Sequence, residues 1–107
     1  MPNFALLATG QQAVTTAPTA LPSVVPANPF GGSVRGQGVR VILENLKAST
    51  ASFYYGNNNN VASSGNNAGK EVAAGTQDVI TVNDLAQIYV VAAGNGTATA
   101  SWAVTNQ

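Results

Sequence analysis

Asp78 and Asp84 stand six residues apart with Val79-Ile80-Thr81-Val82 between them, and of all side chains in this sequence they come nearest to a carboxylate pair for general acid–base work. The intervening residues favour an extended strand, which would hold the two acids at its opposite ends and not around one substrate bond. Calcium binding needs several carboxylates within about a dozen residues, a density this stretch lacks. Gly65-Asn66-Asn67-Ala68-Gly69-Lys70-Glu71 brushes against a phosphate-cradling loop but departs from it twice. Its first glycine is one residue too close, and Glu71 replaces the magnesium-binding Ser or Thr. Lys70-Glu71 is therefore expected to open a strand with an exposed charge pair. Asn95-Gly96-Thr97 matches an N-glycosylation triplet, yet Asn-Gly is equally a two-residue hairpin turn.

The remaining chemistry is narrow. There is no His and no Cys, and only 7% of the residues are charged. A Ser-His-Asp triad cannot be assembled, and zinc and haem lack their usual ligands. The reading is of a non-enzymatic protein, with no catalytic residue, no cofactor and no metal. The formal net charge is zero. Four scattered cations cannot form the basic stripe that holds nucleic acid, so none is expected as a partner. Near-neutrality favours association between copies.

The elements must then be found. At 107 residues the chain is expected to form a single β domain, 1–107. Hydrophobic residues reach 45% but aromatics only 7%, which predicts a thin core that gains from packing against neighbours. Residues 1–16 read as N-terminal strands or an arm. The run Phe4-Ala5-Leu6-Leu7-Ala8 is brief and follows no Lys or Arg, so a strand or packed arm is expected in place of a signal peptide. A second short strand is expected from Gln12 to Thr16, after Gly10. No stretch approaches the roughly 20 apolar residues that cross a bilayer, and no membrane partner is expected.

Residues 17–38 carry Pro18, Pro22, Pro26 and Pro29, then Gly31, Gly32, Gly36 and Gly38. They read as an extended Pro/Gly loop and not a central strand. Phe30 near its tip is either a plug that tethers the loop to its own core or an anchor for a partner. Residues 39–107 hold the core strands. Val39, Val41 and Leu43 share one face, with Arg40 and Glu44 on the other. Asn45 to Ser49 turns the chain, and Ser52-Phe53-Tyr54-Tyr55-Gly56 makes an aromatic strand. Asn57 to Asn60 and Ser63 to Asn67 read as solvated loops whose amides would also suit sugar hydroxyls. Strands follow at Gln77 to Val82 and Ile88 to Ala92. The last strand alternates best, with Ala98, Ala100, Trp102 and Val104 on one side and Trp102 as the centrepiece of the core. Short strands punctuated by turns predict an all-β fold, a small antiparallel β-sandwich or jelly-roll-like barrel.

Taken in order, Val39-Arg40-Val41-Ile42-Leu43-Glu44-Asn45-Leu46, the strand closing in Tyr55-Gly56, Ala73-Ala74-Gly75 and Leu85-Ala86-Gln87-Ile88-Tyr89-Val90 look like a recurrent arrangement. With Gln12-Ala13-Val14-Thr15-Thr16 and Leu21-Pro22-Ser23, it resembles the small structural proteins of tailed bacteriophage particles, especially head decoration (cement) proteins. The resemblance implies a β-sandwich or jelly roll, a homo-oligomer (dimer or trimer), and the major capsid protein as partner. It also implies a location on the capsid surface of the virion after synthesis in the host cytoplasm. Contacts with capsid or neighbouring subunits are expected from Phe4, Leu6, Phe30 and Arg35. The alternative is a virion-surface or tail-associated glycan-binding module using the Asn-rich loops and Tyr54, Tyr55 and Tyr89.

Overall fold

Apolar and β-branched residues at every second position lay down eight strands in the computed structural model, which describes residues 6–24, 38–94 and 96–106. In chain order these are β1 (Leu6–Val14), β2 (Thr19–Ala20), β3 (Val39–Asn45), β4 (Phe53–Gly56), β5 (Lys70–Val72), β6 (Gln77–Val82), β7 (Tyr89–Ala92) and β8 (Ala98–Asn106). One 3-10 turn, Leu85–Gln87, links β6 to β7, and no α-helix occurs among the described residues. The strands form two antiparallel four-stranded sheets, A in the order β1-β8-β3-β6 and B in the order β2-β7-β4-β5. No strand is shared between them, so the architecture is a sandwich.

Pleating decides what lies between the sheets. Val39, Val41 and Leu43 of β3 are wholly buried, as are Ala100 and Val104 of β8, with Trp102 beside them. Sheet B answers with Phe53, Val72, Val90 and Ala92, and Leu21, Leu85 and Ile88 join the same cluster from the connections. The alternation read for β3 and β8 is the one observed.

Three local expectations need correcting. Residues 6–14 form one strand, β1, that runs through Gly10, and not a short apolar segment followed by a second strand after it. Gly10 does not break it because the residue lies opposite Trp102 in β8. A Cβ placed there would come within 2.6 Å of the indole Cζ2, so the missing side chain is the seat of the ring. Second, the 17–38 segment contributes Thr19–Ala20 as β2, paired with Val90 and Tyr89 of β7. This strand is only two residues long and lies at a sheet edge, where flanking prolines remove no ladder bond. Residues 25–37 lie outside the described residues, as does Asn95 of the expected hairpin turn.

Third, Asn45 is the last residue of β3 and is fully buried, whereas the sequence places it in a turn. Its Nδ2 donates to the carbonyls of Ala51 and Val72, both at 2.9 Å. Its backbone N–H donates to Thr76 O, and its own carbonyl accepts from Gly75 N–H. One amide thus ties the end of sheet A to β5 in sheet B and to the segment entering β4. Asn45 Oδ1 has no hydrogen-bond partner among the described residues.

Candidate functional site

The two aspartates singled out by spacing are held apart and engaged by different neighbours. Asp78 points inward from β6, where its register partner is the buried Leu43. Its Oδ2 accepts a hydrogen bond from the Tyr55 hydroxyl at 2.8 Å and pairs with Lys70 Nζ at 3.1 Å. Tyr55 and Lys70 belong to sheet B, so this group is a clasp across the open edge of the sandwich. Burial, and then the bond to Asp78, pushes the Tyr55 hydroxyl up to about 12. The Tyr55 hydrogen bond, followed by the Lys70 ammonium, holds the Asp78 carboxyl below the ordinary carboxylate range. A proton-transfer pair needs values drawn toward neutrality. These two move away from it, and the Tyr55 hydrogen bond and the Lys70 ion pair fasten β4 and β5 to β6.

Asp84 follows β6 and caps the 3-10 turn. Its Oδ1 accepts from Val24 N–H at 2.9 Å and Ala86 N–H at 3.0 Å, and its Oδ2 accepts from the Ser23 hydroxyl at 2.8 Å. Gln87 Oε1 reaches back to Asn83 N–H and Asp84 N–H, completing a capping box. Partial burial works against the Asp84 carboxylate, but the bonds from Ala86, Ser23 and Val24 outweigh it and hold the group below its usual range. The spacing Asp84-x-x-Gln87 carries this cap in the sequence, where it was read only as the end of a strand. Lys70 and Glu71 do open β5 as expected, although Lys70 is paired to Asp78 and Glu71 accepts from the Ser52 hydroxyl at 2.7 Å. No group of three or more potential metal ligands stands together among the described residues.

The expected contact residues divide unequally. Phe4, Phe30 and Arg35 lie outside the described residues. Leu6 opens β1 and is 63% exposed. It sits on the outer face of sheet A, at the end of a strand whose one sheet partner among the described residues is β8. That outer face is broad and nearly uncharged. One row crosses all four strands as Thr9, Ala103, Ile42 and Val79. Val79, at 53% exposure, and Leu6 are the large apolar residues left open to solvent among the described residues. Arg40 and Glu44 flank Ile42 along β3 and are the only charged residues of the four strands that point outward.

The Asn-rich loops form a cleft of about 220 Å³ over Val61, lined by Asn57, Asn58, Asn66 and Asn67. Asn58 Oδ1 accepts from Asn60 N–H at 2.8 Å, which fixes the first loop tip as a turn. No tyrosine lines this cleft. Tyr55 instead lines a neighbouring apolar cleft with Ile80, Val82 and Ile88, and Tyr54 and Tyr89 alternate onto the outer face of sheet B. Asn57 lines both clefts, so of the three tyrosines expected at a sugar site Tyr55 adjoins the Asn-rich loops, while Tyr54 and Tyr89 line neither cleft.

No protein-family model and no curated protein matches this chain. No helix among the described residues is long and apolar enough to cross a membrane.

Proposed function

We propose that this protein is a non-enzymatic structural component that binds and stabilises a viral capsid shell, as decoration or cement proteins do. The observation that carries this reading is the placement of Leu6, a large apolar side chain 63% exposed at the corner of a nearly uncharged sheet. An exposed apolar anchor beside polar, neutral surface suits attachment governed by shape and apolar burial more than by charge. The edge of β1 adds backbone groups that a shell segment can pair with. Asp78 and Asp84, the residues best placed for chemistry, are engaged in holding the sandwich together. The major capsid protein is the partner this reading assigns, and the virion surface the location. Co-sedimentation with purified shells tests it: binding saturates for the native chain and is weakened by Leu6→Asp. Absence of binding to shells in every expansion state would overturn it.

The Asn-lined cleft favours a second reading, a glycan-binding module on the virion surface or tail. Several amides around a shallow apolar floor can meet sugar hydroxyls and a sugar face together. Glycan-array binding that is lost in Asn58→Ala and Asn67→Ala supports it, and a silent array removes it.

A further inference from the structure

We infer that the outer face of sheet A docks a second copy of this chain about a two-fold axis running along the row Val79–Ile42–Ala103–Thr9. The warrant is the order of residues along β3. Arg40, Ile42 and Glu44 point outward from consecutive positions of one face, with opposite charges two residues to either side of an apolar centre. Among the described residues neither Arg40 nor Glu44 is in an ion pair, the one present being Lys70–Asp78.

Two copies of a sheet can meet face to face only about an axis lying in the plane between them. If that axis runs along the strands, Arg40 meets the Arg40 of the other copy and like charges oppose. If it runs across them beneath Ile42, the strands are reversed and Arg40 meets the other copy's Glu44, twice by symmetry. The cross-strand row then lies on the axis itself. Val79 packs on Val79, Ile42 on Ile42 and Ala103 on Ala103, so the exposed Val79 and the half-buried Ile42 and Ala103 are covered in one step. The polar row through Ser101 and Gln77 falls opposite the row through Thr105 and Thr81.

The geometry tolerates sheet twist. Packed sheets cross at about 30°, and residues two positions from the axis lie roughly 6.6 Å from it, so opposed positions separate sideways by about 3.5 Å. An arginine side chain spans that displacement. Four strands at about 4.8 Å spacing and six rows at about 3.3 Å give a patch of roughly 400 Å² per copy in plan. This is below the size of a stable complex, so the dimer forms in the micromolar range or weaker in free solution. Leu6 shares the row of Arg40 and Thr105 at the corner of the patch and falls opposite the other copy's Gln11, so a shell partner that seats Leu6 competes with the dimer.

Sedimentation equilibrium on the full chain over a wide concentration range tests the proposal, with circular dichroism to verify folding. The native chain is expected to show a monomer–dimer equilibrium. Arg40→Glu and Glu44→Arg each raise the dimer Kd by more than about tenfold, because each opposes like charges at both contacts. An equimolar mixture of the two variants restores the dimer, since every contact is then between opposite charges. Val79→Asp abolishes it by placing two carboxylates on the axis, at a site exposed enough to leave the monomer folded. A native chain that stays monomeric at millimolar concentration overturns the inference, as does a mixture that fails to restore association. Shell binding lost in Arg40→Glu without any change in self-association also overturns it, by assigning the face to the shell. Shell binding is scored on the same Arg40→Glu and Glu44→Arg mixture, which keeps Leu6 intact, so failure of the dimer and failure of shell attachment are distinguishable.

Discussion

Gly10 and Trp102 face one another across β1 and β8, and the indole occupies the space that any side chain at position 10 would need. Sheet A therefore closes over its largest core residue only because its edge strand carries a glycine there. Gly10→Ala forces the ring or the strand to shift and is expected to cost about 1–3 kcal/mol. Urea unfolding followed by tryptophan fluorescence measures it, and an unchanged midpoint would show that the ring has room to move.

Asn45 anchors the opposite end of the sandwich. Removing its amide leaves the carbonyls of Ala51 and Val72 without that donor in a site closed to solvent. Asn45→Ala is expected to lose about 1–3 kcal/mol, with larger loss where a cavity remains. Asn45→Asp is worse at neutral pH, since a carboxylate there supplies no donor and buries a charge. Denaturant midpoints of the two variants check the ranking, and Asp tolerated better than Ala would refute it.

Acid should weaken the fold through Asp78 and Asp84. Both carboxyls are held below their ordinary range in the folded chain, by Tyr55 and Lys70 in one case and by Ala86, Ser23 and Val24 in the other. A depressed folded value means that the stabilisation is complete above the unfolded value, near about 3.9, and is lost as pH falls through the folded one. Stability of the native chain thus drops below about pH 4, and the drop is shallower in Asp78→Asn/Asp84→Asn. An identical acid limb in that variant would contradict the assignment.

Alkali acts on Tyr55 with the opposite sign. Its hydroxyl, pushed up to about 12, stays protonated in the fold while the unfolded chain ionises near about 10. Stability is therefore complete below about pH 10 and declines between there and about 12. Tyr55→Phe is less stable at neutral pH, having lost the bond to Asp78, but lacks this part of the alkaline decline. A pH series of thermal midpoints separates the two effects.

What the sequence made legible follows from how local each signal is. β6 and the alternation of β3 and β8 depend on period-two patterning, which a single strand carries by itself. The unbroken β1 was hidden because a glycine inside a strand reads as an end unless the ring opposite it is known. β2 was hidden because two residues between prolines acquire strand geometry only from Val90 and Tyr89. Asn45 carries turn propensity locally, and its burial is set by β5, which lies 27 positions away through the bond to Val72. The candidate site fared likewise. The sequence singles out Leu6 as an expected contact but not its 63% exposure, which the pairing of β1 with β8 sets, and the clasp of Tyr55, Lys70 and Asp78 required three strands to be assembled first.

Quantitative mass spectrometry of purified virus particles carrying this protein tests the central claim most directly. A shell-bracing protein is present in fixed proportion to the major capsid protein, remains on particles through gradient purification, and rises in occupancy to a plateau when stripped shells are refilled. Its absence from the particles, or a trace amount unrelated to the capsid protein, would contradict the account.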